Sequence, residues 1–422
     1  MIKRDRFVVL ILCIFLLSII GTACGGRGGT VTTPQENAEP IVIGTIFPAS
    51  GPMAVNGQMT FDGVDIAREM VNERGGINGR MVNFVSADAP DATAATQEAE
   101  RLITTRNVKM IIGTQASGLS LAATAVSERN KVFYWEVEGI ADGITDRGFK
   151  YVFRPTFRAK QMAEQMLDFT QNVVAERLGK APKDLKVALV YEDSAFGSSS
   201  AANLTSLVDN YDFDFIMISS YSAQSVELSS LVLELRSHRP DVLMAVSFVN
   251  DSILLARESK ELGFNPPVII GTTASHGTAD FASAMGDDVN GIFAAGITSG
   301  VNPDKMKPEV REIFDELVRR YKERRGIEPG VSVLNGFNGA WIFLTEVLPN
   351  VENIDADSVR EAAFELNIDE GDTILGYGIR FIGPDKPHSG HNEQAFAAVM
   401  QWQDGKLKAV YPEIISITTP KF

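Results

Sequence analysis

From Ile41 onward the chain alternates two patterns of apolar and polar residues. Short β-branched and aromatic runs such as "IVIGTIF", "MVNFVSAD", "KMIIGT" and "KVFYWEV" predict strands. Between them lie stretches with apolar residues at helical spacing. In "MTFDGVDIAREMVNERGG", Phe61, Val64, Ala67 and Val71 share one face, Asp62, Asp65, Arg68 and Glu69 the other, and Gly75-Gly76 ends the run. "TAATQEAERLITTRN" and "GLSLAATAVSERN" are the next helices.

After "YVFRPTFR" the alternation begins again. A helix carrying Met162, Met166, Phe169 and Val173 in register leads into the strand runs "LKVALVYED", "DFIMISS", "DVLMAVSF", "PPVIIGT" and "GIFAAGI", with helices at roughly 197–210, 226–237 and 250–262 between the earlier ones. The pattern changes near Gly291–Thr298. The charged helix "PEVREIFDELVRRYKERRG" and the apolar "VSVLNGFNGAWIFLTEVL" follow, and the chain ends in a hairpin signal centred on Asp404-Gly405. Strands alternating with helices build parallel sheets covered on both faces. The expected fold class is therefore α/β, two lobes joined by several crossovers with a ligand cleft between them.

The N-terminus reads differently. "MIKRDR" is basic, and Phe7–Ile20 is an apolar core shorter than the roughly 20 residues of a membrane-spanning helix. This predicts a secretory signal over residues 1–23, with a retained anchor helix as the alternative. "IIGTACGG" resembles the lipobox of bacterial lipoproteins, which makes Cys24 the lipidated first residue; Gly21 stands where that pattern usually has Leu. Residues 24–40, rich in Gly, Thr and Pro, read as a flexible tether. Cys13 leaves with the signal and Cys24 carries lipid, so disulfides, zinc-binding Cys pairs and a thiol nucleophile are not expected. The net charge of -15 over 422 residues argues against nucleic-acid binding, which needs a basic face.

The first block, "IVIGTIFPASGPMAVNGQMTFDGVDIAREMVNERGGINGR", together with "SADAPDATAA", "MIIGTQASG", "ITDRGFKYVFRPT", "VYEDSAFG", "KELGF" and the terminal "GYGIRF…QWQDGK", resembles type I periplasmic binding proteins. The particular likeness is to the leucine/isoleucine/valine-binding receptors of ABC transporters, and it covers essentially the whole chain after Pro40. It implies two doubly wound lobes joined by three crossover strands and closing on a small ligand. Mapped here, the first lobe is 41–154 plus 300–372, the second 155–299 plus 373–422, and the hinges fall near Arg154, Thr298 and Tyr377.

The same likeness implies site residues. "GTQAS" leaves a strand for a helix N-terminus, where unpaired N–H groups and the helix dipole favour a carboxylate. The resemblance puts Ala116 and Ser117 on that carboxylate; the alternative for Ser117 is a plain N-cap. Asn56 stands where several members have an aromatic cover. Phe196 matches an aromatic wall of the second lobe and Phe248 another closing aromatic, although either could be core. Amino-acid-binding members hold the ligand's ammonium with a Thr and an acid, and at those positions this chain has Ile140 and Thr273. Glu136 and Glu138, in "YWEVEG", stand where the family has small neutral residues. These acids meet a cationic or amide ligand group, pair with Arg154 or Arg158, or face solvent.

No phosphate loop, dinucleotide fingerprint or GxSxG elbow is present. His388 and His391 make an HxxH in a Pro/Gly-rich loop, read as solvated rather than metal-binding. The expected protein is a lipid-anchored, extracytoplasmic solute receptor of an ABC permease with a cytoplasmic ATPase. It calls for no cofactor, metal or catalytic residue, and it takes an amino acid or a related small carboxylate or amide. A surface sensor or an enzyme on the same scaffold is the alternative.

Overall fold

The computed structural model describes residues 39–298, 303, 306–413 and 415–422; the signal, Cys24 and the tether lie outside the described residues. The first sheet contains β1 (Ile41–Phe47), β2 (Val82–Asp88), β3 (Met110–Gly113), β4 (Phe133–Glu136) and β5 (Val152–Phe153), all parallel in the order β2-β1-β3-β4-β5. Its early crossovers are the helices α1 (Ala54–Glu73), α2 (Ala92–Thr104) and α3 (Ser117–Arg129).

The second sheet opens after α4 (Ala159–Phe169), which runs through a π turn into α5 (Ala175–Arg177). Its strands are β6 (Val187–Glu192), β7 (Phe215–Tyr221), β8 (Val242–Val246), β9 (Val268–Thr272) and β10 (Phe293–Gly296), followed by the late hairpin β11 (Ala398–Gln403) and β12 (Lys406–Tyr411). The order is β12-β11-β10-β9-β8-β6-β7, with β11 and β12 antiparallel. The crossovers are α6 (Ala195–Leu207), α7 (Ser229–His238), α8 (Val249–Glu261) and the short α9 (Ala279–Met285). In each sheet the chain turns first to one side and then to the other, between β1 and β3 and between β6 and β8. Ligands of doubly wound sheets sit outside the carboxyl ends of the strands at such switch points.

After β10 the chain returns to the first lobe as α10 (Pro308–Arg325), α11 (Val331–Ile342) and α12 (Ala356–Phe364). The apolar segment Val331–Asn350 is long enough to cross a membrane, but 83% of its 18-residue window is buried in protein. It packs on α1 with backbones in contact: a Cβ on Gly63 would lie 2.1 Å from the Val333 carbonyl oxygen, and one on Gly336 would lie 2.2 Å from that of Thr60. An aromatic cluster closes the opposite side. Trp135 stacks on Phe343 at 4.9 Å and meets Phe381 edge-on at 5.5 Å, while Phe133 and Phe153 stack at 5.1 Å.

Phe381 therefore belongs to the first lobe, and the final crossing comes later than the Tyr377 expected from the resemblance. Backbone bonds from Arg154 N–H to Gly390 O (2.8 Å) and from Asn392 N–H to Arg154 O (3.0 Å) hold the chain beside the end of β5 up to Asn392. Crossing follows between Asn392 and β11. The aromatic cluster, which buries Phe381, sets that boundary.

Replacing Gly63 with Ala pushes a methyl group into the α11 backbone, which has nowhere to yield. Overpacking of this kind costs about 1–3 kcal/mol. Thermal unfolding of Gly63→Ala is expected a few degrees below wild type. Gly118→Ala, where an added Cβ meets nothing within 4 Å, is expected to melt with wild type.

Candidate functional site

Glu136 ends β4 and is fully buried. Its carboxylate accepts hydrogen bonds from the backbone N–H groups of Thr114 (3.1 Å to each oxygen), Glu138 (3.0 Å) and Gly139 (2.7 Å). One acid thus ties the loop after β3 to the loop after β4. Burial raises its pKa to about 7, against the opposing pull of its hydrogen-bond donors. Gly139 is required beside it, since a Cβ there would come within 2.4 Å of the Ser120 hydroxyl.

The two loops form one wall of a cavity between the lobes. Gln115, Ala116 and Ser117 follow β3, and Glu138 and Ile140 follow β4. Phe196, Phe248, Thr273 and Ala274 line it from the second lobe, at the carboxyl ends of β6, β8 and β9, with Gly296 and Ile297 at the end of β10. Phe157 and Met162 close it near the hinge. Its volume is about 40 Å³, room for about three waters on the measure by which one water takes roughly 10–15 Å³. The lobes touch directly beside it: Asp142 N–H donates to the Ser199 hydroxyl at 3.1 Å, and the Asn203 amide donates to the Asp142 carboxylate.

Of the residues expected at the site, Ala116, Ser117, Glu138, Ile140, Phe196, Phe248 and Thr273 line this cavity. Ser117 is the first helical residue of α3 and not its N-cap, a place taken by Ala116. Its hydroxyl oxygen accepts from Ala141 N–H at 3.1 Å, which leaves its own proton free to donate. The Phe196 and Phe248 rings meet at 5.3 Å, a common aromatic wall. Thr273 Oγ1 accepts from Ile297 N–H at 3.0 Å, so this hydroxyl fastens the second lobe's loops to each other.

Glu136 and Asn56 do not line the cavity. Glu136 is consumed by backbone N–H groups. Asn56 is buried in the first turn of α1, which is pressed so closely on Pro48 that a Cβ on Gly57 would lie 2.1 Å from the Pro48 oxygen. Neither arginine pairs with the glutamates. Arg154, fully buried, donates to Ala141 O and Thr145 Oγ1, each at 2.8 Å, and Arg158 pairs with Asp146 at 3.2 Å. The HxxH loop is solvated over residues 384–387, and the half-exposed His388 turns to Asp146, but His391 departs from the expectation and is buried against Gln161 (3.1 Å). Among the described residues no group of three His, Cys, Asp or Glu could hold a metal.

Gln115 was missed, because a glutamine in a polar loop looks ordinary in sequence. It is buried, lines the cavity, and its Oε1 has no hydrogen-bond partner. Phe157 and Met162 were missed because their spacing is that of core residues. Their place at the hinge is visible only in three dimensions.

Glu138 is buried with its oxygens accepting from the Thr60 and Ser332 hydroxyls, the latter at 2.7 Å, and burial raises its pKa to about 7. The folded protein therefore binds this proton more tightly than the unfolded chain. The stability that results is fully present below about pH 4.5 and is lost as pH rises to about 7, on the order of 2–4 kcal/mol for the group. Urea unfolding at pH 5 and pH 7.5 is expected to show a smaller loss in Glu138→Gln than in wild type.

Comparison with known proteins agrees with this geometry. The family described as "Periplasmic binding protein" matches residues 40–406. The Leu/Ile/Val-binding protein homolog 7 of Brucella suis is 36% identical over 384 residues, covering 90% of this chain and 93% of its own. Homolog 8 of Brucella abortus is 36% identical over 385 residues, with the same coverage of both chains, 90% and 93%. In fold, the chain is similar to LivJ of Streptococcus pneumoniae in complex with isoleucine (TM-score 0.73, 17% identity, 88% of this chain and 100% of that one). It is similarly close to a Rhodopseudomonas palustris ABC-transporter solute-binding protein in complex with 3,4-dihydroxybenzoic acid (TM-score 0.71, 18% identity, 87% and 95%). With the switch-point cavity and the match over residues 40–406, the chain belongs to the type I periplasmic binding proteins, in the Leu/Ile/Val-binding family of solute receptors.

Proposed function

We propose that the protein is the lipid-anchored receptor of an ABC importer. In this reading it captures a small carboxylate-bearing solute, either an amino acid or an amine-free acid, by closing its lobes, and then presents it to a membrane permease driven by a cytoplasmic ATPase. The observation that carries the reading is the cavity between the lobes, walled by the N-terminal end of α3 on one side and by Phe196 and Phe248 on the other. The unpaired N–H groups at that helix end and its positive dipole suit a carboxylate. The Ser117 hydroxyl adds a donor. Isoleucine and 3,4-dihydroxybenzoate, held by the two structural neighbours, share a carboxylate and little else.

Closure is the working step. Ligand contacts from both lobes favour the closed form over the open one, and the bond between Asp142 and Asn203 adds to that preference. The Cys24 lipid and the polar residues after it keep the receptor at the outer face of the membrane while leaving the lobes free to move.

A ligand present at a hundred times its Kd stabilises the folded state by about 2.7 kcal/mol. Thermal melting with amino acids and simple organic acids is expected to pick out binders by upward shifts of a few degrees. Ala116→Trp, which fills the cavity wall, is expected to abolish the shift; an undiminished shift would mean that the ligand binds elsewhere. Cys24→Ser is expected to move the protein from the membrane to the soluble fraction and to end palmitate labelling. Unchanged membrane association would favour a retained anchor helix.

A further inference from the structure

Glu138 is the one ionisable side chain among the described residues that line the cavity. Thr60 on α1 and Ser332 on α11 each donate a hydroxyl to it, satisfying part of a carboxylate's acceptor capacity of about four sites. Among the described residues no ion pair joins it to a protein cation: Arg154 donates to Ala141 and Thr145, and Arg158 pairs with Asp142 and Asp146. A buried carboxylate without a cation is costly, and one left facing a ligand cavity has an evident use. The opposite wall offers no acid to a ligand cation, since Thr273 and Ala274 occupy the loop after β9.

On the same lobe, Gln115 leaves an unpartnered Oε1 beside the N-terminal end of α3. The first lobe therefore presents a helix end, whose dipole favours an anion, next to two acceptors, this oxygen and the Glu138 carboxylate. We infer that Glu138 anchors a protonated amine on the ligand, so that both charged ends of an α-amino acid are held by the first lobe while the second contributes the aromatic and hydroxyl wall. The inference rests on the proposed reading that this cavity is the solute site. It narrows the solute class to zwitterions and places the choice among side chains on Phe196, Phe248 and Thr273.

The test is calorimetry on the purified protein with L-leucine, L-phenylalanine and L-glutamine, and with the amine-free 4-methylpentanoate and 3-phenylpropanoate. At least one amino acid is expected to bind, with its amine-free counterpart far weaker. Glu138→Gln, checked by melting for intact folding, is expected to weaken the amino acid by at least about 30-fold. That variant does not weaken the amine-free acid, whose carboxylate loses a like charge from the cavity. An amine-free acid that binds wild type as tightly as its amino acid, or an amino acid bound equally by Glu138→Gln, overturns the amine anchor while leaving the solute-receptor reading intact. Binding that Ala116→Trp does not weaken moves the site elsewhere and removes both. Should no panel member bind, mass spectrometry of small molecules released on denaturation decides: an amine-bearing molecule supports the anchor, and an amine-free molecule or none at all overturns it.

Discussion

Taking the Glu136 carboxylate out of water costs several kcal/mol, and the chain offsets this by turning the backbone N–H groups of Thr114, Glu138 and Gly139 onto it. Two loops that are distant in sequence are thereby drawn to one point. The first brings Gln115–Ser117 to the cavity, and the second brings Glu138 and Ile140. Remove the acid, and the N–H groups it collects are left buried without partners while both loops lose their common anchor. The cavity wall of the first lobe depends on a residue that does not touch the cavity.

The lobes divide the work in a way that follows from their connections. α11 packs its backbone onto α1 through Gly63 and Gly336, and Ser332 and Thr60 on these two helices reach the same Glu138 carboxylate. In the first lobe the acid that lines the cavity is therefore held by a closely packed helix pair. The second lobe offers ring faces and a hydroxyl, held by loop-to-loop bonds such as Ile297 N–H to Thr273. Such a wall adapts to side-chain shape more readily than to charge.

Most of the fold was legible in advance because its signals are local. Apolar runs and helical periodicity marked the parallel strands and most crossovers, and Asp404-Gly405 marked the antiparallel hairpin. The short helix α9 was not marked; at seven residues it spans too few turns to show a period. The late third crossing was hidden for another reason. Phe381 stays with the first lobe because it packs on Trp135 and Phe153, and neither partner is near it in sequence.

The sequence by itself determined the fold class, the family and the loops that line the cavity, since each strand ends where its apolar run ends and each loop follows from that point. The resemblance also put Ile140 and Thr273 at the positions where amino-acid-binding members hold the ligand's ammonium. Only the tertiary structure decided between two adjacent acids of "YWEVEG". Glu136 turns into backbone N–H groups brought from Thr114, while Glu138 faces the cavity with hydroxyls from α1 and α11. Two residues apart, they have the same chemistry and flank the same residue, Val137. Their roles differ because long-range packing determines which donors reach each carboxylate, and local sequence carries no record of that.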